Sequence, residues 1–565
     1  MILHEVAAAQ QIGFPVLTVL IFLPLAGAVV IWLFQEDEDL IRKFALGVAG
    51  LEFFVSALLL WHFTPHSADI QFAERAAWIP AIGVSYHLGV DGLSVLFIPL
   101  TAFLTVLIMV YSWDTAQTLL KPYLMAVLGL EGTMIGVFAS LDLILLFVFW
   151  ELLLIPSYFL IKLWGPGPQR QYAALKYVLY TLAGSVLMLV GLVLLNLNFH
   201  AAAALSRTGP LYSFDLLELL TVPVPPERQT LIFFLLFAGF AFKAPIFPFH
   251  TWLPTALVEG PIVMSVVLAG VKLGTYGFIR VSLPLLPEAA KDWLWLMAAL
   301  GLAGILYGAL IALVQSDFRR LLAFSSISHL GFVMLGLFAL NFQGLQGSLL
   351  QMINLGFSTA GLFFLAGFLA TRTGSADLAA YGGLARRLPL LATFIMILGL
   401  ASIGLPGTSG FLGEFLILVG AFRAHWALAA VGVLGVILGA AYFLWYYERA
   451  FFGPSLPQAD AQQPLRDLQP REWGIAGALS VMVLWIGLYP APFLDRINGS
   501  VQALADRLDQ GSMVKAVLRA GDAGGGPPTP GGQSSQPKPT GVSGGRTRPA
   551  TDSHVQPLPV GGPPP

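Results

Sequence analysis

Cysteine is absent from all 565 residues, which excludes disulfides and cysteine-ligated zinc or iron–sulfur centres. Charge is scarce as well: Asp, Glu, Lys and Arg make up 11% of the chain, and the formal net charge is −2. No basic cluster is present, so the electrostatic footprint of a nucleic-acid partner is missing. The nine histidines do not fall into metal-ligand spacings, and no facing pair suggests a haem. The opening residues, MILHEVAAAQQ, lack the charged n-region of a signal peptide, so residues 15–34 are expected to form a membrane helix.

What is abundant is apolar. Hydrophobic residues are 57% of the chain and the mean hydropathy is +0.79. Between residues 15 and 490, runs of about 20 apolar residues, enough to cross a hydrocarbon core, recur fourteen times. The expected class is an all-α polytopic membrane protein of about 14 transmembrane helices. The twelfth run, 388–420, is too long for one span and holds Gly404, Pro406, Gly407, Gly410 and Gly413. The seventh holds Pro245 and Pro248 directly behind Lys243. Both are expected to be broken helices.

Two breaks five segments apart suggest a five-helix unit used twice, and an odd number of helices per unit forces the copies to be inverted. The expected organisation is three N-terminal helices in 1–114, one repeat in 115–283 and its inverted copy in 284–452. A linker, the last transmembrane helix and a C-terminal segment follow in 453–520, then a Gly/Pro-rich tail, 521–565, expected to be disordered. Loops after odd-numbered segments carry fourteen Lys and Arg residues, against six after even-numbered ones. That imbalance predicts odd loops in the cytoplasm and both termini outside a bacterial plasma membrane.

Few ionisable groups fall inside the spans: Glu131, Glu151, Lys243, Lys272, His329 and Glu414, with His250 just past the seventh-helix break. A charge at the bilayer centre costs about 2.5–3.5 kcal/mol even on lenient insertion scales, so such residues mark ion or proton paths. Glu151 and Lys243 are the natural pair. At roughly 4 Å and an effective dielectric near 20 their attraction is about 4 kcal/mol, comparable to the burial cost of the lysine. A lysine balanced this way releases its proton when the glutamate moves off; the bland reading is a static pair joining two helices. Lys272 has no partner in its own helix, and Arg280 reads as the snorkelling end of that span. His329 ends SSISH, where Ser325, Ser326 and Ser328 could anchor waters for proton shuttling. Glu414 follows the glycine-rich break and reads as an entry or exit group. Glu131 and His250 are secondary: a packing hydrogen bond explains the first, an interfacial cap the second.

The stretches WELLLIPSYFLI, FKAPIFPFHTWLP, GTYGFIR, SSISHLGFVMLG and GLPGTSGFLGEF resemble the antiporter-like membrane subunits of bacterial respiratory complex I, over roughly residues 85–450. Glu414 stands where the L and N branches usually carry lysine, so the resemblance is to the M, or chain 4, branch. It implies that Glu151 and Lys243 are the coupling pair, that Lys272 and His329 continue the relay, and that Glu414 marks the outlet. It implies proton translocation driven by NADH oxidation and quinone reduction, with NAD(H), FMN, iron–sulfur clusters and quinone on partner subunits and no cofactor on this chain. L- and N-type subunits are the implied neighbours.

The chain departs from the family pattern at Thr255 and Leu257, where an aspartate and a histidine are common, and at Leu355, where histidine is. It is also two residues short between Ala269-Gly270 and Lys272, which turns a helix by about 200°; a bulge is the expected remedy. Two other readings share these residues: a subunit of a multisubunit sodium/proton antiporter, and a non-pumping scaffold within complex I.

Overall fold

A computed structural model describes residues 4–33, 37–206, 211–454 and 465–522. The chain divides into two units, Met1–Met513 and Val514–Pro565; of the second, the described part is the end of one helix. Among the described residues, the first unit is a bundle with fourteen places along the chain where helices cross it. Twelve are helical runs long and apolar enough to cross a membrane, one of them (α8) interrupted within. They are α1 (Val16–Leu33), α2 (Glu38–His62), α3 (Phe97–Thr115), α4 (Leu120–Ala139), α5 (Leu143–Trp164) and α6 (Arg170–Ala204), then α8 (Ile262–Leu285), α9 (Leu294–Leu313), α10 (Phe318–Leu337), α11 (Phe342–Thr373), α13 (Trp426–Phe452) and α14 (Pro470–Leu488). The other two are broken, as expected: α7 runs Pro226–Lys243 and resumes at Trp252–Glu259, and α12 runs Pro389–Ser402 and resumes at Ser409–Ala424.

Sequence sets these boundaries locally. Asp142 caps α5 by accepting from the Ile144 and Leu145 amides, which separates α4 from α5 at a point where hydropathy alone is continuous. Asn341 caps α11 through the Gly344 amide, and Gly374, at φ +69°, ends it in the left-handed conformation. In α12, Gly404 and Gly407 take φ +75° and +90°, which a side chain at Cβ resists. A Cβ on Gly410 would sit 1.9 Å from the Ala401 carbonyl oxygen, so glycine there lets the two halves of α12 overlap.

The eighth span is where expectation and structure differ most. Instead of a bulge, α8 breaks outright: an α-helix ends at Gly270, Val271 and Lys272 take non-helical backbone, and helix restarts at Leu273. A break resets the helical phase, so the two missing residues need not swing Lys272 to the wrong face. A π-helical turn, Phe278–Ser282, follows further on. Arg280 lies in that turn and does not snorkel. It is 4% exposed and bridges Asp91 with both terminal nitrogens, at 2.8 and 2.5 Å.

The helices α8, α10 and α11 are buried nearly all round and form the centre, whereas α2, α6, α13 and α14 leave apolar faces outward. One end of the bundle carries features that sequence reading did not separate from the helices. Strand β1 (Glu5–Ala7) pairs parallel with β2 (Ile70–Ile79), which forms an antiparallel hairpin with β3 (Val84–Val90) through Gly83 at φ +73°. At this end His87 Nδ1 donates to Asp215 Oδ2 at 2.6 Å, and Arg75 reaches Asp215 at 3.3 Å and Glu218 at 2.5 Å. After α14, residues read as a C-terminal segment form a helix, α15 (Ala491–Asp522). Its Ile497, Val501, Leu504 and Leu508 are buried at helical spacing. Residues 523–565 of the expected disordered tail lie outside the described residues, while Gly521 and Asp522 end α15.

Candidate functional site

The α7 break presents Lys243 as the last residue of its first half, where a cation suits the helix's negative end. The break exposes carbonyls that must find donors. The Trp252 indole supplies one, giving its N–H to the Phe242 carbonyl at 2.8 Å. Lys243 Nζ itself donates to the Trp150 carbonyl at 3.1 Å and lies over the Trp150 ring, 5.1 Å from its centroid. The expected close ion pair is therefore open. Glu151 is the next residue along α5, but its Oε1 is buried without a hydrogen-bond partner, and the lysine is held by backbone instead. The helix α5 bends at Leu153, three residues before Pro156, which cannot donate to the preceding turn.

Lys272 sits in the α8 break, 4% exposed, with Nζ 3.4 Å from the Leu268 carbonyl. Lys243 and Lys272 line one cavity of about 30 Å³, together with Tyr177, Trp252, Thr275 and Leu330. That is room for about two waters at roughly 10–15 Å³ of probe volume each. Two lysines thus share a small, mostly apolar chamber whose wall reaches Leu330, the neighbour of His329.

The second half of the bundle holds a continuous hydrogen-bonded chain. His329 on α10 contacts Glu414 Oε1 through Nδ1 at 3.1 Å and Ser402 Oγ through Nε2 at 3.3 Å. Gln351 on α11 donates to the same Glu414 oxygen at 3.2 Å, and Asn354 donates to Gln351 Oε1 at 3.4 Å. Ser409, at the restart of α12, donates to Asn354 Oδ1 at 2.6 Å. The expected serine waters are not the histidine's setting. Ser325 pairs with the Tyr442 hydroxyl, and Ser326 and Ser328 donate to the Leu322 and Ile305 carbonyls. Gln351 and Asn354 were missed by sequence reading, which followed ionisable residues; a Gln-x-x-Asn spacing inside an apolar span was the available signal.

The secondary residues are placed too. His250 is 4% exposed, stacked on Phe247 and edge-on to Tyr307, so it is buried rather than an interfacial cap. It borders a cavity of about 290 Å³ that also meets Gln169, Thr251, Thr255 and Arg320. Glu131 is fully buried, with neither carboxyl oxygen hydrogen-bonded, so a packing hydrogen bond does not explain it. At the departures from the family pattern, Leu257 and Leu355 are fully buried apolar residues, and the Leu257 carbonyl accepts from Arg319 at 2.5 Å. Among the described residues there is no cluster of three or more metal-ligating side chains.

The chain is similar to known membrane proteins of one family. The family described as NADH:quinone oxidoreductase/Mrp antiporter, transmembrane, matches residues 140–439. The chain is 42% identical to NADH-quinone oxidoreductase subunit M of Rhodobacter capsulatus, over 89% of this chain and 99% of the relative. Among solved structures, respiratory complex I from Thermus thermophilus with bound NADH contains a chain with a TM-score of 0.78 and 34% identity, covering 87% of this chain and 99% of that one. A chain of the Mrp complex from a Dietzia species gives a TM-score of 0.73 at 22% identity, covering 89% and 99%, a likeness of fold.

Proposed function

Since this chain belongs to the NADH:quinone oxidoreductase/Mrp antiporter membrane family and is a proton-translocating membrane subunit of NADH:quinone oxidoreductase, we propose that its protons pass along the polar axis from His250 to Glu414. The observation that carries the proposal is the shared chamber of Lys243 and Lys272 between two broken helices. Broken backbone at membrane depth survives only where it is packed in protein or lines a wet cavity, and here two breaks border one small cavity that also meets Lys243 and the buried Lys272.

The His250 cavity serves as the inlet and lies at the end of the bundle whose loops are richest in Lys and Arg, the cytoplasmic end by the positive-inside rule. Lys243, held by the Trp150 carbonyl and free of a closed ion pair, passes its proton to Lys272 through the chamber. Glu151 sets the sign of the step. Approach of its carboxylate holds the proton on Lys243, and withdrawal releases it, because the desolvated ammonium then lacks a counter-charge. From the chamber the proton reaches the His329–Glu414–Gln351–Asn354 chain, with Glu414 as the outlet. Both termini then face outward from a bacterial plasma membrane.

The drive comes from elsewhere. Moving one charge against 100 mV costs about 2.3 kcal/mol. In this reading NADH, FMN, iron–sulfur clusters and quinone are handled by partner subunits, with L- and N-type chains alongside, and this chain performs no redox step. The test is Lys243→Ala in the assembled complex. The account expects NADH-driven acidification of inverted vesicles to disappear while the complex still assembles; normal acidification in that variant would remove Lys243 from the path. The antiporter reading predicts sodium-dependent pumping instead, and the scaffold reading predicts that the variant lowers assembly.

A further inference from the structure

Glu52 on α2 and Glu131 on α4 are each 0% exposed, and none of their four carboxyl oxygens has a hydrogen-bond partner. The two carboxyl groups act on each other across the α2–α4 contact. Among the described residues no ion pair reaches either carboxyl group. The neighbouring α1 carries no charged residue, and α3 has only Tyr111 and Asp114, in its last two turns. The charges of α2 itself lie near its termini (Glu38, Asp39, Arg42, Lys43 and His62), and the other titratable groups of α4 are Lys121 and Tyr123 in its first turn. The remaining elements packed on α4 bring Glu151, Tyr158 and Lys162 from α5, Lys272, Tyr276 and Arg280 (the last paired with Asp91) from α8, and Tyr86 and His87 from β3.

Two unpaired carboxylates cannot both stay ionised in such surroundings. Burial of one without a partner is already strongly unfavourable, and a like charge beside it adds to the cost. A pair that shares one proton removes the like-charge repulsion, and a pair that carries two protons also removes the buried charge. Thr105 lies beside Glu131, and its hydroxyl already donates to the Thr101 carbonyl at 3.0 Å, so only its acceptor lone pairs remain for a protonated acid. The helix α4 also links the pair to the chamber wall. Met134, one helical turn from Glu131 on the same face of α4, lines the chamber of Lys243 and Lys272.

We propose that Glu52 and Glu131 form a second proton-holding site, a carboxyl pair beside the main axis that exchanges protons with the Lys243–Lys272 chamber through α4. Both positions fall outside residues 140–439, the part of the chain that the family match covers. Only the exchange with the chamber rests on the relay reading; the pair itself does not. Proton exchange requires no oxidant or co-reactant, because one O–H bond breaks as another forms.

Infrared difference spectroscopy of the assembled complex, cycled between its oxidised and NADH-reduced forms, tests it through the carbonyl stretch of protonated carboxyl groups. Glu52→Gln and Glu131→Gln are each expected to remove part of that signal and to shift what the other residue contributes. Glu52→Asp keeps the group and moves the band rather than removing it, which covers the case of a glutamine variant that fails to assemble. Protonated-carboxyl spectra identical to wild type in all three variants would overturn the pair. Vesicle acidification then tests the exchange: pumping lowered in Glu131→Gln supports it, whereas lost infrared signal with full pumping confines the pair to packing and overturns the reservoir. A Lys243→Ala variant that still pumps would end the relay reading and leave the infrared result standing, so the two failures are told apart.

Discussion

The ionisable residues of the axis differ in how they are held. Lys243 donates to a backbone carbonyl, so its proton is held without a fixed counter-charge. Glu414 is the contrasting case, since Oε1 receives both His329 and Gln351. A hydrogen bond to a charged group is worth about 1.5–3 kcal/mol, and losing one shifts the affinity of Glu414 for its proton by a comparable amount. Gln351→Leu is therefore expected to slow pumping by roughly tenfold or more at one factor of ten per 1.4 kcal/mol, read as the initial rate of vesicle acidification. Ser358→Ala, one turn along the same helix and bonded only to the Asn354 carbonyl, is expected to leave the rate unchanged. Sequence reading reached the ionisable members of the axis because charge inside an apolar span is conspicuous. It did not reach Gln351 and Asn354, because neutral amides there look like helix-packing groups until their partners on α12 are known. Nor could it tell that Lys243 is tied to Trp150, since that contact joins residues 93 apart in sequence.

At the scale of elements, breaks in α7 and α12 were legible from proline and glycine, whereas the break in α8 was not. Val271 and Lys272 carry no residue type that disfavours helix; the missing two residues were the signal, and helix phase alone could not say whether a bulge or a break absorbs them. The same helix is pinned by the buried Arg280–Asp91 pair, to which the Tyr276 hydroxyl also accepts from Arg280 Nε at 2.9 Å. Removing one partner of such a pair leaves a buried charge uncompensated, at a cost of about 3–5 kcal/mol. Asp91→Leu is accordingly expected to lower the amount of assembled complex on native gels, and Asp91→Leu with Arg280→Leu to recover part of it. At the hairpin end, burial by itself pushes the Asp215 carboxyl up. The His87 hydrogen bond and the charges of His87 and Arg75 outweigh that and hold it below the usual carboxylate range. A depressed folded-state pKa stabilises the fold above the unfolded value, about 3.9 for aspartate, and that stabilisation is lost as pH falls through the lower folded value. Thermal stability is expected to drop on acidification through that window in wild type and to drop less in Asp215→Asn.

For the whole molecule, an apolar bundle surrounds a polar line whose members come from the seventh, eighth, tenth, eleventh and twelfth spans. Hydropathy located fourteen spans; among the described residues twelve are long and apolar enough to cross a membrane, and the broken α7 and α12 fill the remaining two places in the order. What hydropathy could not supply was the structure outside the bilayer. The β1–β3 sheet is short, and α15 is too polar to register as a span, although its buried Ile497, Val501, Leu504 and Leu508 already mark an amphipathic helix. Open geometry between Glu151 and Lys243 is central to the account, because a closed pair would hold the proton and a missing glutamate would never steady it. The most direct measurement is NADH-driven acidification of inverted membrane vesicles carrying Glu151→Gln, compared with wild type at equal complex content. The account predicts that the pH gradient is lost while the complex stays assembled. An unchanged gradient would contradict it and make Glu151 a packing residue.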